Sequence, residues 1–285
     1  MIDIKNLEFN YSHSSHLFKN LNLSLFAGHI HGLLGKNGEG KSTLLKMISG
    51  LVFPLKGEIS VMNVEPRKRH PEMLQEIFFL PEELPPVNLS MENYEKVYAP
   101  FYPHFSSEQF HQYLTEFEME SAKTQMNQLS YGQKKKFFIA FGLAANTSLV
   151  LLDEPTNGLD IPSKAQFRKM AALAIEENRC IIISTHQVRD LDSLIDSIVI
   201  MNGHEIVFNE FTENITKKLL FKVSNQKEEK EEVLYAEENL RGTYQVVENK
   251  TGEESRLDIE LLFNAVLQNQ QRIKEIFSNQ PNNFK

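Results

Sequence analysis

The chain has 285 residues, enough for one large or two modest domains with a buried core, which excludes a mini-protein that depends on disulfide or metal staples. At 41% apolar and 24% charged residues its composition also excludes collagen-like, low-complexity and wholly disordered chains. A formal net charge of −8 argues against a general nucleic-acid binder, and the single cysteine, Cys180, allows neither an internal disulfide nor a cysteine-based metal cluster.

The amino-terminal MIDIKNLEFN sets Ile2, Ile4 and Phe9 among polar residues and lacks the cationic start and apolar stretch of a secretory signal, so it reads as a strand of a chain that stays in the cytoplasm. Leu21, Leu23 and Leu25 alternate with Asn22 and Ser24 in a second strand, and HIHGLL at 29–34 is a third. A glycine-rich turn follows, then KSTLLKMISGL as a helix ending near Gly50, with strands at GEISVMNV (57–64) and IFFL (77–80). From Pro81 to Gln128 the chain reads as a helical insert: Ser106 and Gln109 have capping-box spacing, and Phe110, Tyr113, Leu114 and Phe117 fall at i, i+3, i+4 and i+7.

A helix over about 130–145, the strand SLVLLD, a helix after Pro162, the strand CIIIST and a helix from about Gln187 give the alternation of a parallel sheet covered by helices. Asn202 and Gly203 within IVIMNGHEIVF mark a hairpin. Beyond about Glu210 the charge run KEEKEE (227–232), the strand-like VLYAEENLRGTYQVVE and the helix-like DIELLFNAVLQNQQRIKEIF suggest a small α+β extension with a frayed NQPNNFK tail. The longest apolar run, Phe137 to Ala145, falls far short of the ~18 residues of a spanning helix, so any membrane spans would come from a partner.

Residues 35–43, GKNGEGKST, match the phosphate-loop pattern G-x-x-x-x-G-K-[ST] between a strand and a helix. Gly35, Gly38 and Gly40 free the backbone to point N–H groups inward around an anion, with Lys36, Asn37, Glu39 and Thr43 in the same loop. Lys41 is expected on the β- and γ-phosphates and the Ser42 hydroxyl on Mg²⁺. SLVLLDEP ends a buried strand in two carboxylates: Asp153 suits the magnesium shell, and Glu154 the attacking water. His186, after CIIIST, is placed to hydrogen-bond the γ-phosphate or that water. In LSYGQKKK, Ser130 reads as a helix N-cap whose hydroxyl, with the Gly132 N–H, makes a second anion site. Lys134, Lys135 and Lys136 oppose the helix dipole there, which points to nearby phosphate or an acidic partner surface.

Together these residues resemble the ATP-binding cassette (ABC) family. GKNGEGKST looks like its Walker A, LSYGQ its signature, LVLLDEP its Walker B, TNGLD (156–160) its D-loop and His186 in STHQ its switch histidine, in family order across residues 1 to about 210. The resemblance implies an α/β P-loop NTPase core with a mostly parallel sheet and an N-terminal antiparallel β subdomain. The domains would be a nucleotide-binding domain over 1–212, with a helical subdomain over about 81–128, and an accessory segment over 213–285. It implies ATP and Mg²⁺ as ligands, Tyr11 stacked on adenine, and ATP hydrolysis coupled to transport. It further implies a head-to-tail dimer in which Ser130, Gly132 and Gln133 of one copy face the Walker A of the other. Residues 81–128 would press on a permease subunit encoded as a separate chain, with PEELPPVNLS as the hinge, at the inner face of the membrane.

Two residues depart from the family pattern. Glu82 stands where the family usually has glutamine at a magnesium-contacting position, and Tyr131 replaces the first glycine of LSGGQ. Both, with DIELLFNAVL, resemble the ATPase subunits of bacterial exporters of drugs, antibiotic peptides and sodium. The alternative is a soluble cassette protein acting on ribosomes or nucleic acid. Ribosome-acting relatives usually carry two cassettes, DNA-repair relatives insert a long coiled coil that is absent here, and RKRH at 67–70 reads as solvated loop charge. A P-loop phosphotransferase would leave LSYGQ unexplained. For the last segment two readings stand: partner contact or regulation, or packing of Leu261, Leu262, Val266 and Ile273 into one core with the cassette.

Overall fold

The computed structural model describes residues 1–11, 16–119, 123–191, 194–224, 233–240 and 242–278. The expected KEEKEE run and NQPNNFK tail lie outside them. In chain order the elements begin with β1 (Ile2–Phe9), β2 (Phe18–Leu25), β3 (His29–Leu34), α1 (Lys41–Ile48) and β4 (Lys56–Val61). β2, β1 and β4 form an antiparallel sheet in which Ile4 pairs with Leu23 on one side and Ile59 on the other, so their buried side chains line one face.

α2 (Pro71–Leu74), β5 (Ile77–Leu80), α3 (Met91–Tyr98), α4 (Ser107–Glu116), α5 (Tyr131–Ala144), β6 (Leu149–Asp153), α6 (Ile161–Leu173), β7 (Cys180–Thr185), β8 (Ser197–Asn202) and β9 (Glu205–Phe211) follow. The central sheet has the order β5-β6-β7-β3-β8-β9, parallel throughout except for β9, which returns from β8 by the expected Asn202–Gly203 hairpin. Wholly buried β6 and β7 are the continuous apolar runs of a sheet covered on both faces. This is the expected mostly parallel α/β core with an antiparallel N-terminal sheet and helical segments.

Two local expectations change. The helix from Gln187 is only a 3₁₀ turn, Val188–Leu191, within the described residues. The capping box before α4 is half formed: Ser106 Oγ accepts from Gln109 N, but Gln109 Oε1 is taken by Asn146 Nδ2 at 2.7 Å. Tyr94 of α3 and Phe110 of α4 meet Phe137 edge-on at 5.3 and 5.5 Å, so an aromatic cluster ties the helical insert to α5.

α7 (Thr212–Lys218), β10 (Leu219–Ser224), β11 (Val233–Asn239), β12 (Gly242–Glu248), α8 (Ile259–Gln268) and α9 (Gln270–Ser278) complete the chain; the first two went unread in the sequence. The antiparallel sheet β10-β12-β11 packs under α8. Leu261, Leu262, Val266 and Ile273 are buried in one apolar cluster with Ile198 and Phe208 of the central sheet. Phe208 meets Phe277 edge-on at 5.1 Å, and Lys218 Nζ donates to the α9 carbonyls of Ile276 and Phe277 at 3.0 and 3.2 Å. Leu262→Ala should therefore lower the stability of the whole chain by roughly 2–5 kcal/mol in a single urea transition followed by far-UV circular dichroism. Two transitions with the second unmoved would show a separate C-terminal core.

Candidate active site

Four adjacent parallel strands, β5, β6, β7 and β3, end on one edge of the sheet, and the loop after each carries residues singled out in the sequence. After β3, Gly38 (φ 87°) and Gly40 (φ 106°) adopt left-handed backbone that side chains disfavour, and a Cβ on Gly40 would lie 2.7 Å from the Phe18 ring. Lys41 opens α1 and folds back into the loop, where its buried Nζ donates to the carbonyls of Gly35 at 2.7 Å and Lys36 at 3.1 Å. Burial pulls the Lys41 pKa below its ordinary value, opposed by the charges of Glu154, Asp153, Glu82 and Glu39. No acidic residue occupies the first turn of α1 itself, so the positive end of the helix faces the loop.

The rest of the loop divides between solvent and scaffold. Lys36 and Asn37 are exposed, Ser42 is half-buried, and Glu39 turns away to accept from the His204 backbone N–H at 2.8 Å. Tyr11 is largely exposed beside the loop, with its hydroxyl 2.8 Å from Thr43 Oγ1 and its ring edge-on to Phe9.

At the end of β6, Asp153 and Glu154 are both almost wholly buried. The parallel register pairs Asp153 with Ser184, whose hydroxyl donates to the Asp153 carboxylate. Glu154 takes a left-handed backbone (φ 47°), which turns its side chain toward the end of β7. There Oε2 accepts from Thr185 Oγ1 at 3.0 Å, and Oε1 accepts from the His186 backbone N–H at 3.0 Å and lies 2.7 Å from His186 Nδ1. The same oxygen is 4.0 Å from Lys41 Nζ. Among the described residues no group of three His, Cys, Asp or Glu side chains could hold a metal ion, so a cation here would need oxygens from a ligand as well as from the chain.

The second helix start is built as a full capping box: Ser130 Oγ accepts from Gln133 N at 3.3 Å, and Gln133 Oε1 accepts from Ser130 N at 2.9 Å. Gly132 packs so tightly on the chain that its Cβ would lie 2.6 Å from the Gly158 carbonyl oxygen. The expected basic cluster is broken up. Lys135 is fully buried, donating to the Glu82 carbonyl at 3.1 Å, and burial lowers its pKa to about 8. The Glu82 carboxylate is exposed and accepts from Asn157 Nδ2 at 3.2 Å.

The family model for ABC transporters matches residues 18–157. The bacitracin transport ATP-binding protein BcrA of Bacillus licheniformis is 31% identical over 214 residues, covering 72% of this chain and 70% of its own. The chain belongs to the ABC transporter family. The ABC transporter ATP-binding protein YtrB of Bacillus subtilis is 29% identical over 192 residues, which span 67% of this chain and 65% of that protein. The molybdate import ATP-binding protein MolC of Haemophilus influenzae is 29% identical over 224 residues, 75% of this chain and 83% of its own. A dimeric ATP-binding cassette solved in a post-hydrolysis state with ADP and Pi is 26% identical, with a TM-score of 0.63 over 74% of this chain and 98% of that one. This chain is thus an ABC ATPase of the transporter-associated kind, and its relatives include import proteins.

Within this ABC cassette, the loop lysine and the Walker B carboxylates meet as one cluster with His186, while Ser130, Gly132 and Gln133 start a separate helix. The sequence assigns no role to Ser184 and Thr185, whose hydroxyls hold the two carboxylates, and TNGLD does not reveal that its Asn157 joins Glu82 to Gln187 through amide contacts at 3.2 and 3.3 Å. Their signal lay in β6 and β7 being neighbours, which two apolar strands do not announce. Removing the ammonium in Lys41→Ala should weaken ATP binding about 10- to 100-fold, as expected for loss of charge-assisted hydrogen bonds. Equilibrium titration with a fluorescent ATP analogue checks this, and an affinity within twofold of the parent would contradict it.

Proposed function

We propose that this chain is the ATP-hydrolysing subunit of an exporter, working as a head-to-tail dimer on a separate permease at the inner face of the cell membrane. The observation that carries the hydrolytic part is Glu154, buried and gripped by Thr185 and His186 with Lys41 4.0 Å away. ATP phosphates would replace the Gly35 and Lys36 carbonyls as acceptors for Lys41, within the N–H groups of the loop from Gly35 to Thr43. Tyr11, exposed beside the loop, would stack on adenine.

Glu154 then takes a proton from water as the water oxygen bonds to the γ-phosphorus; the bond to the bridging oxygen breaks, and its electrons leave with ADP. His186, in contact with the same carboxylate oxygen, would keep Glu154 aimed and hydrogen-bond the γ-phosphate. The hard oxygens of Ser42, Asp153 and Glu82 suit Mg²⁺, which when bound neutralises charge on the phosphates. Ser130, Gly132 and Gln133 would close on the γ-phosphate held by a second copy, a reading supported by the dimeric relative.

The outward direction rests on the Glu82 and Tyr131 variants and on likeness to BcrA. Contact with the permease is assigned to the helical insert 81–128, where Val97 and Phe101 are exposed. Among the described residues no helix is long and apolar enough to cross a membrane, which fits spans supplied by another chain. Residues 213–285 would serve partner contact or regulation while packed on the cassette.

Glu154→Gln should retain ATP binding yet lose turnover by roughly 10²-fold or more in a steady-state assay at saturating Mg-ATP. Near-normal turnover would remove Glu154 as the base. The same variant should shift from monomer to dimer on ATP addition in light scattering, and a mass indifferent to ATP would contradict the sandwich.

A further inference from the structure

The two departures from the family pattern, Glu82 and Tyr131, touch each other. Tyr131 Oη donates to the Glu82 main-chain carbonyl at 2.8 Å. One turn along α5, Lys135 Nζ donates to that same carbonyl at 3.1 Å and to the Pro81 carbonyl at 3.4 Å. Tyr131 and Lys135 are four residues apart and so share a helix face, and the ammonium sits 5.7 Å from the Tyr131 ring centroid.

Helix stability explains neither residue. The cap of α5 is satisfied by Ser130 and Gln133 alone, and a cation near the start of a helix opposes its dipole. Lys135 is fully buried, and the charges of Asp153, Glu82 and Glu154 favour its ammonium from a distance, while the groups it touches directly are the two carbonyls. An apolar side chain would fill that space without the cost of desolvating an ammonium, so the ammonium is accounted for by the two carbonyls it holds together with the carboxylate charges around it. Those carbonyls belong to the first residues after β5, where the chain leaves the central sheet for the helical insert. From the same residue, the Glu82 carboxylate accepts from Asn157, and Asn157 Oδ1 accepts from Gln187 Nε2, next to His186. Tyr131 also has its place prepared: Gly158 leaves room for the ring, since a Cβ there would come within 2.6 Å of it.

We propose that Tyr131 and Lys135 are positioning residues for ATP hydrolysis, clasping the Pro81–Glu82 main chain to the start of α5 so that Glu82 stays directed at Asn157 and the loop bearing His186. The clasp acts through Glu82, without touching the reacting atoms, and it rests on the active-site reading above. Its loss frees the Glu82 segment and lowers the fraction of bound ATP in a reactive arrangement, which reduces kcat and leaves KM little changed.

Tyr131→Phe removes one hydroxyl and should lower kcat by about 3- to 10-fold, with KM within twofold and the melting temperature unchanged. Lys135→Met fills the buried space without charge and should cost about 10- to 100-fold in kcat. Because both donors serve one carbonyl, the double variant should fall close to Lys135→Met alone rather than to the product of the two losses. Steady-state ATPase of the full chain over a range of Mg-ATP, with a thermal melt of each variant, reads all of this. Parental kcat in Tyr131→Phe overturns the clasp whatever Lys135→Met does, as does a loss confined to KM. If Lys135→Met fails to fold, Tyr131→Phe decides by the same criteria. Parental turnover in Glu154→Gln would instead remove the active-site reading itself.

Discussion

Lys41 and Glu154 bring opposite charges to within 4.0 Å with both side chains almost wholly buried, and the remaining site geometry follows from satisfying them. Each would be costly to bury alone. Two loop carbonyls accept from the ammonium, and Thr185 with the His186 backbone donates to the carboxylate, with the His186 ring against it. Such a pair adds little to stability compared with apolar side chains of the same size, so its place at the edge of the sheet is explained by chemistry. An incoming phosphate is a better acceptor for Lys41 than a carbonyl.

The parallel sheet makes this arrangement possible. Strands β6, β7 and β3 are neighbours, so residues far apart in sequence, 41, 154 and 186, leave the sheet side by side. β5 adds Glu82 on the outer side, and α5 rests against the β5 exit through Tyr131 and Lys135. The C-terminal unit reaches the same region from the other direction: α8 packs against the turn Val188–Leu191, and Arg189 pairs with Glu260 at 2.5 Å. A change in the loop after β7 is therefore in mechanical contact with both the cassette and its extension.

What was legible in the sequence was local. GKNGEGKST announces its loop because glycines at fixed spacing have one use between a strand and a helix, and Ser130 with Gln133 announces a cap because both partners lie within one turn. Non-local facts were not legible. Three consecutive lysines point to nearby phosphate or an acidic partner surface, and only the fold shows that the middle one turns inward to the carbonyls after β5. The left-handed backbone of Glu154 depends on the neighbouring strand, and Thr185 matters only through the β6–β7 register. The alternation of strands and helices suggests a helix from Gln187, whereas that segment is a 3₁₀ turn packed against α8 of the C-terminal core.

The most direct test of this account is a crystal structure of the Glu154→Gln chain with Mg-ATP. Lys41 Nζ should leave the Gly35 and Lys36 carbonyls for phosphate oxygens, with the residue at 154 still held by Thr185 and facing the γ-phosphate. Nucleotide bound elsewhere, with Lys41 still on its two carbonyls, would contradict it.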